Sequence, residues 1–325
     1  MIIDIDAINR ELKLKKKAIA VYGCSWAAGQ GAYDPVMDQF PTKMVGARRA
    51  FLLDQTYINQ YRGKFGHYKD GYYFEESFVQ ENDNSFVSIL TKEYLNNDYV
   101  PLNFGLPGCG NASSIRYADI IGIDWGSIET LDIIFMPTDV SRGYYPTVDE
   151  SNNFWHWTLW PHPPSKKDRV SVLYHSLCAL YARTYNEKRA IIDLFFYTRH
   201  LQWISKSFKN SKFMILPAFN PFFTKDHFKQ TLGPVYNHLE NRVKGKKSKY
   251  LHMVNEYPWD CFVTPNGASN YADFILQQEP EEWSSFDFLN ILHKGTPNGF
   301  LTICAHPSKK SHKLLAEWFY NNEYK

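Results

Sequence analysis

The chain has 325 residues, enough for one large domain or two, and its 36 basic and 34 acidic side chains leave a formal net charge of +2. A charge this small excludes a strong field drawing the protein to nucleic acid or a membrane surface, and no apolar run approaches the ~20 residues needed to cross a bilayer. The five scattered cysteines (Cys24, Cys109, Cys178, Cys261 and Cys304) show neither disulfide nor metal spacing, which suits a reducing compartment.

Residues 1–17 are charged and too short in apolar run for a secretory signal. Residues 18–23 are small and β-branched and predict a buried parallel strand. The turn that follows puts Ser25 at the carboxyl end of that strand, where ligands bind in open α/β sheets. Residues 86–95 carry apolar side chains at helical spacing, and 99–104 and 131–137 predict the second and third strands. Residues 170–208 predict a long helical region broken near Glu187. Strands four and five are expected at 212–217 and 249–254. A last helix over 309–320 has Leu314, Leu315, Trp318 and Phe319 on one side.

Strands alternating with helices predict right-handed crossovers and a parallel sheet. The expected fold is therefore α/β, a three-layer α/β/α sandwich with about five parallel strands in flavodoxin-like order, forming a single domain over residues 1–325. Three segments exceed that core: insertions near 31–82, 143–168 and 257–299. All three adjoin the end of the sheet that carries Ser25, where long structured insertions shape a substrate site.

At 17%, the aromatic content is high, so some rings must lie at a surface or cleft rather than in the core. Trp155, Trp157 and Trp160, with His156 and His162, cluster in the second insertion. They suit a platform for stacking sugars or, equally, packing of the insertion on the core. The two histidines match no familiar metal spacing, and no metal is expected. Arg142 suits either an anionic substrate group or a surface ion pair.

Ser25 needs a base, and His306, close to the other end of the chain, is the candidate. Four blocks in order resemble the SGNH (GDSL-type) hydrolase family. Tyr22-Gly23-Cys24-Ser25-Trp26 resembles the family's strand ending in Gly-Asp-Ser, with Cys24 at the aspartate position. Asn103 with Gly108 five residues later resembles the second block. The strand at 131–137 is followed by Thr138 and Asp139 where the family has Asn-Asp. His306-Pro307 resembles the last block, but Ile303 and Cys304 stand where an aspartate is expected. Residues 82–115 are similar to SGNH proteins carried by tailed bacteriophages, a likeness that bears on origin; with no secretory signal or spanning run read, a cytoplasmic or phage-particle protein is expected.

The resemblance implies an SGNH fold and a serine hydrolase needing no cofactor, with Ser25 as nucleophile and His306 as base. The backbone N–H groups of Ser25 and Gly108 and the Thr138 hydroxyl are the implied oxyanion donors, with Asn111 as a replacement donor. The acid that orients His306 is missing or atypical; a backbone carbonyl, or a carboxylate from elsewhere such as Asp287 or Asp139, suits the role. The expected partner is a small-molecule or glycan ester; the aromatic insertion and the resemblance together suit a carbohydrate O-acyl ester such as an O-acetyl ester. Two other readings stand beside it. One is a weak or inactive SGNH relative that binds glycan or serves as a phage structural or accessory part. The other is a thiol-dependent or phosphoryl-acting enzyme, which requires an exposed Cys24 or an anion site at Arg142.

Overall fold

The computed structural model describes residues 5–29, 32, 66–68, 71–73, 83–106, 110–148, 154–159, 172–219, 223–233, 250–283, 296–301 and 306–325. Four parallel strands form the central sheet: β1 (Lys17–Gly23), β4 (Val100–Asn103), β5 (Thr130–Met136) and β8 (Phe213–Ile215), in spatial order β4-β1-β5-β8. β1 lies at the centre, paired with β4 from Ala18↔Val100 to Val21↔Asn103 and with β5 from Lys17↔Thr130 to Gly23↔Met136. Every β1 residue after Lys17 is buried, as expected of a strand covered on both faces.

Strand periodicity sorts the core into two halves. Ile19 and Val21 face one cluster, shared with Ile134 and Met136 of β5. That face is covered by helices α3 (Phe86–Ile89, continuing as a π turn over Leu90–Tyr94), α9 (Tyr271–Leu276) and α10 (Lys309–Phe319). Ala18, Ala20 and Tyr22 face the other cluster with Ile133 and Phe135. There α1 (Ile5–Lys15), α4 (Asn111–Ile120), α6 (Glu187–Lys206), α7 (Lys225–Leu232) and α8 (Leu251–Glu256) contribute Leu12, Ile115, Leu194, Phe228 and Met253. Apolar helices cover both faces, as a three-layer α/β/α sandwich requires.

The expected fifth strand at 249–254 is a correction: Leu251–Glu256 is helical. Met253, Val254 and Tyr257 are buried while His252, Asn255 and Glu256 are exposed, a helical spacing that a short apolar run conceals. Among the described residues the sheet continues beyond β8 as an isolated parallel bridge, Ile215↔Phe262. The break expected near Glu187 falls between α5 (Val172–Thr184) and α6, where Asn186 caps α6 by accepting from the Arg189 N–H at 3.1 Å.

Two antiparallel ribbons lie within the first two expected insertions. One pairs β2 (Gly66–Tyr68) with β3 (Gly71–Tyr73), the other β6 (Gly143–Val148) with β7 (Phe154–Leu159). Among the described residues no helix is long and apolar enough to cross a membrane.

Candidate active site

β1 ends at Gly23, where a Cβ would stand 2.8 Å from both the Ala27 Cβ and the Met136 carbonyl oxygen. Glycine therefore lets the chain turn tightly against β5. Cys24 stays extended and Ser25 opens a single helical turn, α2 (Ser25–Ala28), closed by Gly29 at φ 89°. Cys24 is fully buried. A thiol packed this way behaves as a small core residue, and the exposed Cys24 required by the thiol reading is not found.

His306 is placed by the contacts of the residues that follow it. Leu301 and Pro307 form an antiparallel bridge, and the Ser308 N–H donates to the Phe300 carbonyl at 2.9 Å. Ser308 then caps α10 through the Ser311 N–H. The outcome is a contact of 2.8 Å between Ser25 Oγ and His306 Nε2, across 281 residues of sequence. Ser25 is only 6% exposed, whereas His306 is half-buried, so the pair lies where a buried turn meets the protein surface.

Thr138 stands two residues beyond Met136, as Ser25 stands two beyond Gly23, and those strand ends are paired. The register thus makes the chain leave both adjacent strands at the same level, two residues before each of them. Thr138 is fully buried, and its hydroxyl has no hydrogen-bond partner among the described residues. Asn111, expected as a replacement oxyanion donor, instead grips the Thr138 backbone. Its Oδ1 accepts from the Thr138 N–H at 2.8 Å and its Nδ2 donates to the Thr138 carbonyl at 3.2 Å. It is a positioning residue for Thr138, joining the start of α4 to the end of β5.

The loop after β4 is tied to the turn that carries Ser25. The Phe104 and Leu106 N–H groups donate to the Val21 and Gly23 carbonyls at 2.8 and 3.0 Å. Asn103 accepts from the Gly105 N–H and donates to the Ala28 carbonyl. Gly105 lies so close to α2 that a Cβ would be 2.3 Å from the Ala28 nitrogen.

Asp139 is half-buried and accepts from the Ser141 N–H at 2.8 Å, stabilising its own turn. Its charge, after burial, helps push the Tyr181 and Tyr185 phenols up to about 12. Arg142 places its guanidinium 5.5 Å from the Phe219 ring, which packs 5.3 Å from Trp26, the residue after Ser25. Gly108, Trp160, Asp287, Ile303 and Cys304 lie outside the described residues, as do the side chains of Trp155 and Trp157. A groove of about 570 Å³ lies elsewhere, bordered by Lys212, Phe262 and Trp318, and shares no residue with the Ser25–His306 pair.

A second histidine is part of this neighbourhood. His312 of α10 is fully buried, stacked on Phe86 at 6.4 Å and edge-on to Tyr271 at 6.0 Å. Tyr271 in turn meets Trp26 at 5.8 Å. The Phe86 N–H donates to His312 Nδ1 at 3.2 Å, so the neutral ring carries its proton on Nε2. Burial, and then the nearby His306, lower its pKa from 6.5 to about 3. Its signal in the sequence is its place on the buried stripe His312, Leu315, Ala316 and Phe319.

The sign of the resulting pH dependence follows from linkage. Between about 3 and 6.5 the unfolded chain binds a proton at His312 that the folded chain refuses. Stability from this group is complete above 6.5 and declines as pH falls toward 3, by about 1.4 kcal/mol per pH unit. Urea midpoints measured across that window should fall more steeply for the wild type than for His312→Phe. Equal slopes would contradict a neutral buried imidazole.

Compared with family models, with curated protein sequences and with solved structures, the chain matches none.

Proposed function

We propose that the chain is a serine hydrolase of the SGNH type that cleaves esters, with Ser25 as nucleophile and His306 as base. The observation that carries this reading is the 2.8 Å contact between Ser25 Oγ and His306 Nε2, within the range for a proton to pass between nucleophile and base.

The steps follow from the groups present. With its proton on Nδ1, neutral His306 accepts the Ser25 proton at Nε2 as Oγ attacks the ester carbonyl. The tetrahedral oxyanion is met by the first-turn N–H of α2, which has no partner inside the helix, and by the Thr138 hydroxyl. His306 then returns the proton to the departing alkoxide, releasing the alcohol and leaving an acyl-Ser25 ester. Water repeats the sequence with His306 as base, freeing the carboxylic acid and restoring Ser25. The chemistry requires no cofactor. Acidification protonates His306 and stops the first step, so the rate rises with pH along its acid limb.

The first substrates to test are p-nitrophenyl acetate and O-acetylated glycans. The wild type should hydrolyse p-nitrophenyl acetate with saturation, while Ser25→Ala should proceed at the buffer rate. Equal rates for the two proteins would remove the enzyme reading. The low exposure of Ser25 favours a second reading, a catalytically weak relative that binds glycan or serves as a phage accessory part. That reading is the one left standing if turnover is absent.

A further inference from the structure

The residues that follow His306 contact residues 300 and 301, and the 296–301 loop is organised around one buried carboxylate. Glu279 is 9% exposed. Its Oε1 accepts from the Thr296 hydroxyl at 2.5 Å and from the Phe300 N–H at 3.2 Å, and its Oε2 accepts from the Asn298 N–H at 2.8 Å. Among the described residues no cation pairs with it. Three donors from one six-residue loop therefore compensate the burial of the charge.

Those donors lead directly to His306. The Thr296 N–H donates to the Leu301 carbonyl at 3.0 Å, and the Leu301 N–H donates to the Thr296 hydroxyl oxygen at 2.9 Å. Leu301 bridges to Pro307, the residue after His306. The Phe300 carbonyl accepts from the Ser308 N–H and from the Ser311 hydroxyl at the start of α10. Glu279 thus holds residue 300 directly and residue 301 through Thr296, and these contact 307, 308 and 311, which follow His306 in the chain.

We propose that Glu279 is a positioning residue for His306. It acts through the 296–301 loop rather than as a third member of a triad, because its side-chain hydrogen bonds among the described residues all go to that loop. Replacing the anion with an amide leaves one strong acceptor for three donors, so the loop must loosen. A nucleophile and base held at 2.8 Å are sensitive to such loosening, since a displacement near 1 Å costs up to about 10²-fold in rate.

The test uses Glu279→Gln in the full chain, with two readouts. The first is side-chain ¹⁵N–¹H NMR of His306 in protein shown to be folded by circular dichroism. The wild type should give one sharp ring system with hydrogen-bonded Nε2; the variant should give broadened or multiple ring signals. A purely structural role, which lowers the melting temperature of an otherwise intact fold, would leave those signals in place. The second readout rests on the hydrolase reading: kcat for p-nitrophenyl acetate should fall by up to about 10²-fold with little change in KM. If Glu279→Gln does not fold, Thr296→Val takes its place, since it removes one donor to Glu279 and the acceptor of the Leu301 N–H. Unchanged His306 signals in a folded variant overturn the proposal. Absent turnover in the wild type overturns the hydrolase reading alone, and the NMR result still decides the role of Glu279.

Discussion

Ser25→Ala and His306→Ala should each lower kcat for p-nitrophenyl acetate by about 10⁴- to 10⁶-fold, and the double variant should be no worse than either single one. The non-additivity follows from the geometry. A hydroxyl is a weak nucleophile until its proton leaves, and the acceptor 2.8 Å away is the His306 imidazole. Removing either partner removes the same activated state, so the second loss has nothing further to take. Residual activity should resemble that of a pocket offering only oxyanion donors. Neither change should unfold the protein, because Ser25 and His306 lie at strand and helix ends rather than in the two apolar clusters. Steady-state rates for the four proteins, with circular dichroism as a control, check this. Additive losses would show that the two residues act separately.

Thr138→Val should reduce kcat by about 10²- to 10³-fold with KM little changed, the loss expected for one oxyanion donor. Thr138→Ser should retain most of the rate, since it keeps the hydroxyl. The same Val variant should be as stable as the wild type, or more so. The Thr138 hydroxyl is fully buried with no hydrogen-bond partner among the described residues, and leaving such a group unpaired costs about 1–3 kcal/mol. Replacing it with a methyl of similar size removes that cost. Lost activity together with unchanged or raised stability is the signature of a hydroxyl retained for function. Urea denaturation alongside the kinetics reads both. A Val variant with full activity would take Thr138 out of the oxyanion site, and a destabilised one would point to a structural bond.

Local patterns carried much of this architecture. Ala18 to Val21 read as a buried parallel strand because nearly every position is apolar, and β1 is buried as that pattern requires. The final helix was legible from its 3.6-residue stripe, although Ser311 and His312 share the buried face that Leu314 and Trp318 only border. Ser25 and His306 were legible as a candidate pair because each lies within a recognisable block; in the structure Ser25 follows the end of β1, and His306 adjoins the antiparallel bridge Leu301↔Pro307.

Other features depend on contacts that no local pattern records. The run at 249–254 was ambiguous between strand and helix because six residues are too few for periodicity to decide, and Tyr257 one turn later settles it as helical. The α1 helix was hidden by its charge, although Ile5, Ile8 and Leu12 share one side and reach the core. Asn111 looked available to a substrate; its two bonds to Thr138 span 27 residues. The donors to Glu279 lie 17 to 21 residues ahead of it and are mostly backbone N–H groups, which sequence does not distinguish.

Juxtaposition of an early serine hydroxyl with a late imidazole is tested most directly by a fluorophosphonate probe followed by peptide mass mapping. One adduct on Ser25 in the wild type, lost in His306→Ala, is the expected result. An adduct on another residue, or labelling of Ser25 that is indifferent to His306, would contradict the account.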